Sequence, residues 1–292
     1  MIKLRAPAKV NLTLEVLRRR PDGYHEVATI LQAVGLWDEL VLEEAQGLSF
    51  RCSVPELDGP DNLVVKAAKL LASEAKSAKS GRGADISLTK RIPIAGGLGG
   101  GSADAAAALA GLNALWELGL SHERLSVLAA QLGSDVPFFL SGGTAIATGR
   151  GELVTSLRAV RPAWLVVLAP DVTLPRKTAS LYGALTPADY ADGRATERAV
   201  ALLAKGAAVN HAMLVNTFER VAYRVFPSLA SFADAMRAAG AERVHLAGSG
   251  PSLFTPAPDE AAGNAMAERL SASGLRAWCV PTVASGVTFV AE

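Results

Sequence analysis

Pro93-Ile94-Ala95-Gly96-Gly97-Leu98-Gly99-Gly100-Gly101-Ser102 decides how the rest of the chain is read. Five of the six residues from Gly96 to Gly101 are glycine. A backbone without Cβ reaches positive φ and lets a ligand approach closely. The stretch follows a short strand, Ile86-Ser87-Leu88-Thr89-Lys90. It opens onto an Ala/Leu-rich segment, Ala103 to Leu118, that predicts a helix ending near Gly119. The first amides of such a helix lack intrahelical partners, and together with its dipole they suit a phosphate. A flexible linker would not sit tightly between a strand and a strong helix. GxGxxG fails, because Gly97-x-Gly99 is followed by Ser102 and Gly99-x-Gly101 by Asp104 where the third glycine belongs. Walker A fails because no lysine occurs between Lys90 and Lys177. A triphosphate bound here takes its cation from elsewhere in the fold, with Mg²⁺. Ser102 offers a hydroxyl to metal or phosphate, or a helix N-cap, and the two roles are compatible.

Outward from this loop the chain is ordinary in composition. It has 292 residues, half of them apolar and a fifth charged, which argues against disorder. A formal net charge of +1 gives no global field to recruit nucleic acid or an anionic membrane. The longest uncharged runs, Val244 to Pro258 and Ala277 to Ala291, have 15 residues each and contain Pro and Gly, so no membrane span is expected. Lys3, Arg5 and Lys9 leave no apolar signal core between them, and the expected location is cytoplasmic. Cys52 and Cys279 form no CxxC or zinc pattern and read as reduced core residues. Four scattered His without HExxH make a protein-built transition-metal site unexpected.

The remaining elements alternate in an α/β manner. Val10, Leu12, Leu14 and Val16 interleave with Asn11, Thr13 and Glu15, the period of a half-buried strand, and Lys9 falls on the face of Asn11 and Thr13. Pro21-Asp22-Gly23 is a turn, and Val27–Val34 and Leu36–Glu43 read as two further strands. Asp61 or Asn62 can cap a helix from Leu63 to about Ala78, and Ser121 caps one that stops at Gly133. Gly149-Arg150-Gly151 marks a hairpin. The pattern restarts near residue 160, giving domains 1–160 and 161–292. In the second, strands fall at Trp164–Ala169, Val244–Leu246, Ser252–Thr255 and Ala277–Val280. Helices fall at Thr178–Leu185, Arg194–Lys205, Asn216–Ala239 (broken by Pro227) and Asp259–Ser273.

Three further places carry possible chemistry. Gly133-Ser134-Asp135-Val136-Pro137-Phe138-Phe139 places a carboxylate after a helix stop among aromatic neighbours. Asp135 reads either as an N-cap, which the local sequence favours, or as a general base. Lys9 after Ala6-Pro7-Ala8 reads alone as a surface lysine. Tyr24-His25 offers a ring and a hydrogen-bonding partner, or mere turn decoration.

Taken together, these segments resemble the GHMP kinase superfamily. The resemblance runs through Ala6-Pro7-Ala8-Lys9-Val10-Asn11-Leu12, Arg20 to Glu26 with Thr29 and Gln32, and Lys90 to Ala106. It continues through Gly133 to Phe139 and, more weakly, Leu246-Ala247-Gly248-Ser249-Gly250-Pro251-Ser252-Leu253-Phe254. It implies an α+β, two-domain GHMP kinase fold. The N-terminal mixed α/β domain holds the glycine-rich phosphate loop, and the C-terminal domain is ferredoxin-like. It also implies an ATP- and Mg²⁺-dependent kinase. Lys9 and Asp135 become the catalytic pair, Pro93 to Ala103 wrap the ATP phosphates, and Ser102 faces the metal. The PAKVNL and DGYHE segments narrow the implied substrate to 4-diphosphocytidyl-2-C-methyl-D-erythritol, phosphorylated on its 2-hydroxyl in the non-mevalonate route to isoprenoids. Asn11, Tyr24, His25, Asp135, Thr178 and Tyr182 would hold it, with Tyr24 and Tyr182 on either side of the cytosine. Asn62 and Lys90 match positions near the nucleotide pocket. The runner-up is a kinase of the same superfamily acting on mevalonate, homoserine or a sugar. A nucleotide-binding regulator that lost chemistry is disfavoured by the presence of both Lys9 and Asp135. A Rossmann dehydrogenase is disfavoured by the failed GxGxxG. A small molecule is the only partner expected, with the chain a monomer or weak homodimer. Two departures stand out: Ala103 replaces the usual second Ser of the loop, and Val172 to Arg176 is unusual for the family.

Overall fold

The computed structural model describes residues 1–75, 83–172, 174 and 176–291. Its first two strands, β1 (Ile2–Arg19) and β2 (His25–Ala45), form one long antiparallel hairpin. Asp22 closes the connecting turn by accepting from the Tyr24 amide at 3.1 Å. The two strands expected between Val27 and Glu43 are thus one: Gly35 and Leu36 form a bulge between the Ala8–Val34 and Pro7–Trp37 pairs, and β2 runs on through it. β3 (Leu48–Cys52) pairs in parallel with β4 (Gly83–Thr89), which lies antiparallel to β2. β5 (Thr144–Thr148) pairs with a different part of β2, and β6 (Leu153–Ser156) with β5.

One face of this sheet is covered by α1 (Leu63–Ala75), α2 (Gly100–Leu115), α3 (His122–Leu132) and α4 (Val136–Ser141). Asn62 caps α1, its Oδ1 accepting from the Val64 amide at 2.9 Å. Residues 76–78 of the expected helix lie outside the described residues. Ser121 caps α3 as its sequence suggests. α2 packs with five of its seven alanines buried, because small side chains let it lie close on β1 and β2.

The second half begins with β7 (Trp164–Leu168), followed by α5 (Lys177–Ala184), α6 (Arg194–Ala204), the two-residue β8 (Val215–Asn216), α7 (Glu219–Val225) and α8 (Leu229–Ala238). Then come β9 (His245–Leu246), β10 (Leu253–Ala257), α9 (Glu260–Ala272), β11 (Ala277–Pro281) and β12 (Thr288–Phe289). The sheet β11-β7-β10-β9 is antiparallel, with its strands in the order fourth, first, third, second, which is the ferredoxin-like arrangement. The expected helix Asn216–Ala239 is instead β8, α7 and α8. Pro227 ends α7, and Asn216 is drawn into strand pairing with Leu14.

The two halves share one strand. β8 and β12 both come from the second half, and both pair with β1. Ala8, Val10 and Leu12 of β1 pack with Leu165, Val167 and Phe254 of the second sheet. β1 is therefore buried on both sides rather than half-buried, and Lys9, Asn11, Thr13 and Glu15 are all 5% exposed or less. Its alternation is also interrupted. The register with β2 slips between Asn11 and Thr13, so a β-bulge turns Thr13 and Glu15 away from the face of Lys9 and Asn11. Thr13 and Glu15 meet Thr196 of α6 instead. Cys52 and Cys279 are free but only half-buried, because each lies on an edge strand, β3 or β11. No helix among the described residues is long and apolar enough to cross a membrane.

Candidate active site

The glycine loop leaves β4 and enters α2 under tight backbone control. The Lys9 amide donates to Leu98 O at 2.9 Å, which ties the loop to β1. Ser252 N donates to Gly96 O at 3.0 Å, which ties it to the second domain. Gly97 has φ +83°, and a Cβ there would lie 2.2 Å from Ala247 O. Gly99 has φ +76°, and its Cβ would lie 2.6 Å from the Phe139 ring. These glycines admit protein neighbours, while Gly101 borders an open cavity with no atom closer than Leu63 at 3.8 Å. The helix starts at Gly100 with Gly99 as its N-cap, so Ser102 lies inside the first turn and is not the cap. Ala103 is fully buried, and its amide is bonded to Gly99 O, so the departure from the usual Ser fills core space.

Lys9 and Asp135 meet beside this loop. Lys9 Nζ lies 3.5 Å from Asp135 Oδ2 and donates to Asn11 Oδ1 at 2.8 Å. Asn11 Nδ2 in turn donates to Thr29 Oγ1 at 2.8 Å. Lys9 is not a surface residue; its side chain is 5% exposed against 37% for Asp135. Asp135 occupies the N-cap position of α4, yet its carboxylate makes no capping bond and lies beside the ammonium instead. Phe138 and Phe139 are fully buried under it.

Three cavities that share lining residues lie in sequence here, the second and third bordering Asp135. One of about 350 Å³ is lined by Asn62, Pro93 to Gly97, Gly99 to Ser102 and Lys90. The middle one, about 300 Å³, is lined by Lys9, Asn11, Asp135, Thr178, Tyr182 and Gly97. The third, about 700 Å³, shares Asp135, Thr178 and Tyr182 with the middle one and adds Tyr24, His25 and Tyr190. Every side chain expected to hold substrate therefore borders the second or third cavity.

The aromatic arrangement differs from a simple sandwich. His25 stacks on Tyr182 at 4.6 Å, and Phe218 meets Tyr182 edge-on at 4.9 Å. One face of Tyr182 is thus already covered. Tyr24 is 56% exposed, and the Arg150 guanidinium lies 4.8 Å from its ring centroid. Burial, and next the charge of Asp135, push the Tyr182 phenol up to about 12. Burial, then Arg19, lower the His25 pKa and favour a neutral ring. Thr178 shares a 3.0 Å hydroxyl–hydroxyl bond with Ser249 of the C-terminal glycine motif.

Lys90 is committed elsewhere. Its ammonium bridges Asp38 and, at 2.7 Å, Asp104 of α2. Asp38 also accepts the amide of Ile92 at 2.9 Å, so this buried triad fixes the root of the loop. Burial first, and then Asp38 beside it, hold Asp104 well above the usual carboxylate range. Burial works against the Lys90 charge, but Asp104 and Asp38 more than offset it and raise that pKa. Sequence reasoning missed the triad, because its three members stand 52, 14 and 66 positions apart. It also missed Asn216, whose amide donates to Leu246 O at 2.9 Å and Gly248 O at 2.8 Å and so shapes the C-terminal glycine motif. The only signal for Asn216 was an Asn at the head of an expected helix.

The family model of the GHMP kinases N terminal domain matches residues 62–143, and that of the GHMP kinases C terminal matches residues 195–275. A protein of Dehalococcoides mccartyi named 4-diphosphocytidyl-2-C-methyl-D-erythritol kinase is 40% identical over 97% of this chain and 99% of its own length. The chain belongs to the GHMP kinases, in the 4-diphosphocytidyl-2-C-methyl-D-erythritol kinase family. A relative of the same name from Symbiobacterium thermophilum is 43% identical over 97% of this GHMP kinase and 100% of its own chain. A crystal structure of 4-(cytidine 5'-diphospho)-2C-methyl-D-erythritol kinase superposes with a TM-score of 0.81, at 38% identity over 96% of this chain and 98% of that one. The L. major mevalonate kinase structure, at 17% identity and a TM-score of 0.74 over 97% and 96%, shares the fold.

Proposed function

We propose that this GHMP kinase transfers the γ-phosphoryl group of ATP to the 2-hydroxyl of 4-diphosphocytidyl-2-C-methyl-D-erythritol. The observation that carries this reading is the order of the three cavities. The glycine loop lies at one end, the aromatic cluster of Tyr24, His25 and Tyr182 at the other, and the Lys9–Asp135 pair between them. A triphosphate on the loop and a cytidine diphosphate ester against the rings would bring their reacting ends together at that pair. The D. mccartyi and S. thermophilum relatives carry the name of this activity.

Phosphoryl transfer is catalysed mainly by positioning and by electrostatics on the equatorial oxygens. The 2-hydroxyl oxygen bonds to the γ-phosphorus as the bond to the β-bridging oxygen breaks, and ADP leaves. Asp135 accepts the hydroxyl proton. Lys9, held by Asn11, orients that carboxylate and the incoming oxygen. Gly100, Gly101 and Ser102 present first-turn amides to the phosphates. Mg²⁺ needs only one or two protein oxygens beside those of a substrate phosphate, and Ser102, which lines the loop cavity, would supply one. Mg²⁺, when bound, neutralises charge that develops on the β- and γ-oxygens. Tyr24 supports the cytosine ring, and the stacked His25–Tyr182 pair forms the opposite wall. Thr178 lines the passage between the two ends.

The test is ATP-dependent phosphorylation across a panel of 4-diphosphocytidyl-2-C-methyl-D-erythritol, mevalonate and homoserine. Turnover confined to the cytidine ester supports the reading. Turnover of a free alcohol without the cytidine overturns the acceptor assignment.

A further inference from the structure

The glycine loop carries no lysine of its own, and the cations near it differ in what they touch. Lys9 has Asp135 and Asn11, Lys90 has Asp38 and Asp104, and Arg150 has Glu152. Lys177, at the start of α5, is different. Among the described residues its ammonium makes two bonds, to Ala95 O at 2.7 Å and to Gly250 O, and neither acceptor is a carboxylate. It lines the middle cavity together with Lys9 and Asp135.

We propose that Lys177 supplies, from the second domain, the cation that the glycine loop lacks, and that it pairs with the terminal phosphates of the bound nucleoside triphosphate. This rests on the kinase reading above. The geometry places one ammonium across both glycine segments, since Ala95 belongs to the first loop and Gly250 to the C-terminal motif. An ammonium has three N–H groups, and two carbonyls leave one for a ligand. A compact, rotatable point charge suits a phosphate oxygen. Charge balance points the same way. The middle cavity is bordered by Lys9, Arg150, Lys177 and Asp135, and Lys177 is the cation whose counter-charge must come from what enters. Burial, and next the neighbouring Lys9 charge, lower its pKa to about 8, as expected for an ammonium held without a carboxylate. A phosphate between the two ammonium groups would remove that penalty.

A purely structural role, tying two loops together, makes a different forecast. Lys177→Gln keeps N–H donors for the two carbonyls but removes the charge. Lys177→Arg keeps the charge. Binding of the β,γ-imido analogue of ATP and of adenosine would be measured for both variants and for wild type, with Mg²⁺ and without acceptor. Melting temperatures would confirm that each variant is folded. The expected result is a loss of about 30-fold or more in affinity for the triphosphate analogue in Lys177→Gln, following loss of one partner from a desolvated charge pair. Adenosine binding is unchanged, and Lys177→Arg recovers most of the loss. Equal weakening of both ligands, or an unchanged triphosphate affinity in Lys177→Gln, overturns the proposal. If Lys177→Gln does not fold, Lys177→Arg with the triphosphate analogue decides: near-wild-type affinity supports the charge, and a loss shared with adenosine overturns it. Because no acceptor is present, a wild-type enzyme that binds the analogue but phosphorylates another alcohol refutes the acceptor assignment alone. A wild-type enzyme that does not bind the analogue refutes this proposal as well.

Discussion

Replacing Asp135 by Asn separates catalysis from architecture. The substitution keeps the side-chain shape and removes the charge and the basicity. Its structural cost is small for two reasons. Asp135 makes no capping bond to α4, so no helix contact is lost. Its carboxylate is 37% exposed and 3.5 Å from Lys9, which retains Asn11 at 2.8 Å. Solvent screens Asp135, and the buried Lys9 ammonium keeps its bond to Asn11, so the cost is on the order of 1 kcal/mol, or a melting shift of about 2–4 °C. Loss of a general base lowers kcat by roughly 10²–10⁴. At 1.36 kcal/mol per tenfold that is about 2.7–5.4 kcal/mol of barrier, several times the stability cost. The assay is steady-state phosphorylation of 4-diphosphocytidyl-2-C-methyl-D-erythritol at saturating ATP, with thermal melting of the same preparations. A variant that melts near wild type and turns over within about threefold of it would refute the role given to Asp135. A variant that loses both activity and fold would show that the carboxylate is architectural.

Tyr24→Ala removes an exposed ring, so the fold should survive, while KM for the cytidine substrate rises by roughly 5- to 150-fold, matching a stacking contribution of about 1–3 kcal/mol; an unchanged KM argues against base stacking there. Gly97→Ala puts a methyl 2.2 Å from Ala247 O at φ +83° and should destabilise by at least about 1–3 kcal/mol, read as a lower melting temperature with the loop displaced. An unchanged melting temperature would show that the two glycine segments are not locked together. Lys90→Met strands two buried carboxylates and should cost about 3–5 kcal/mol in denaturant unfolding. A loss under about 1 kcal/mol would mean that the triad does not hold the loop root.

The glycine loop and α2 were legible because composition alone specifies them: five glycines, then alanines that pack closely on a sheet. In the second half the alternation of strands and helices was legible, but their ferredoxin-like strand order came only from the family resemblance. Other features depend on partners remote along the chain. The bulge that turns Thr13 away from Lys9 is set by pairing with β2, and no local pattern announces it. Strand β8 has two residues, too few for any periodicity. Asp135 reads locally as a cap because the feature that redirects it, Lys9, lies 126 positions earlier. Lys177 gave no signal because its partners are backbone carbonyls, which every residue carries.

The pairing of β12 with β1, Leu4 opposite Phe289, has a consequence for biosynthesis. β1 leaves the ribosome long before β12, the strand that covers its edge. The phosphate loop is translated some 150 residues before Ala247, Gly250 and Ser252, which brace it. A half-synthesised chain therefore has the letters of a nucleotide site without its walls. Premature termination products should be inert toward ATP rather than wasteful of it.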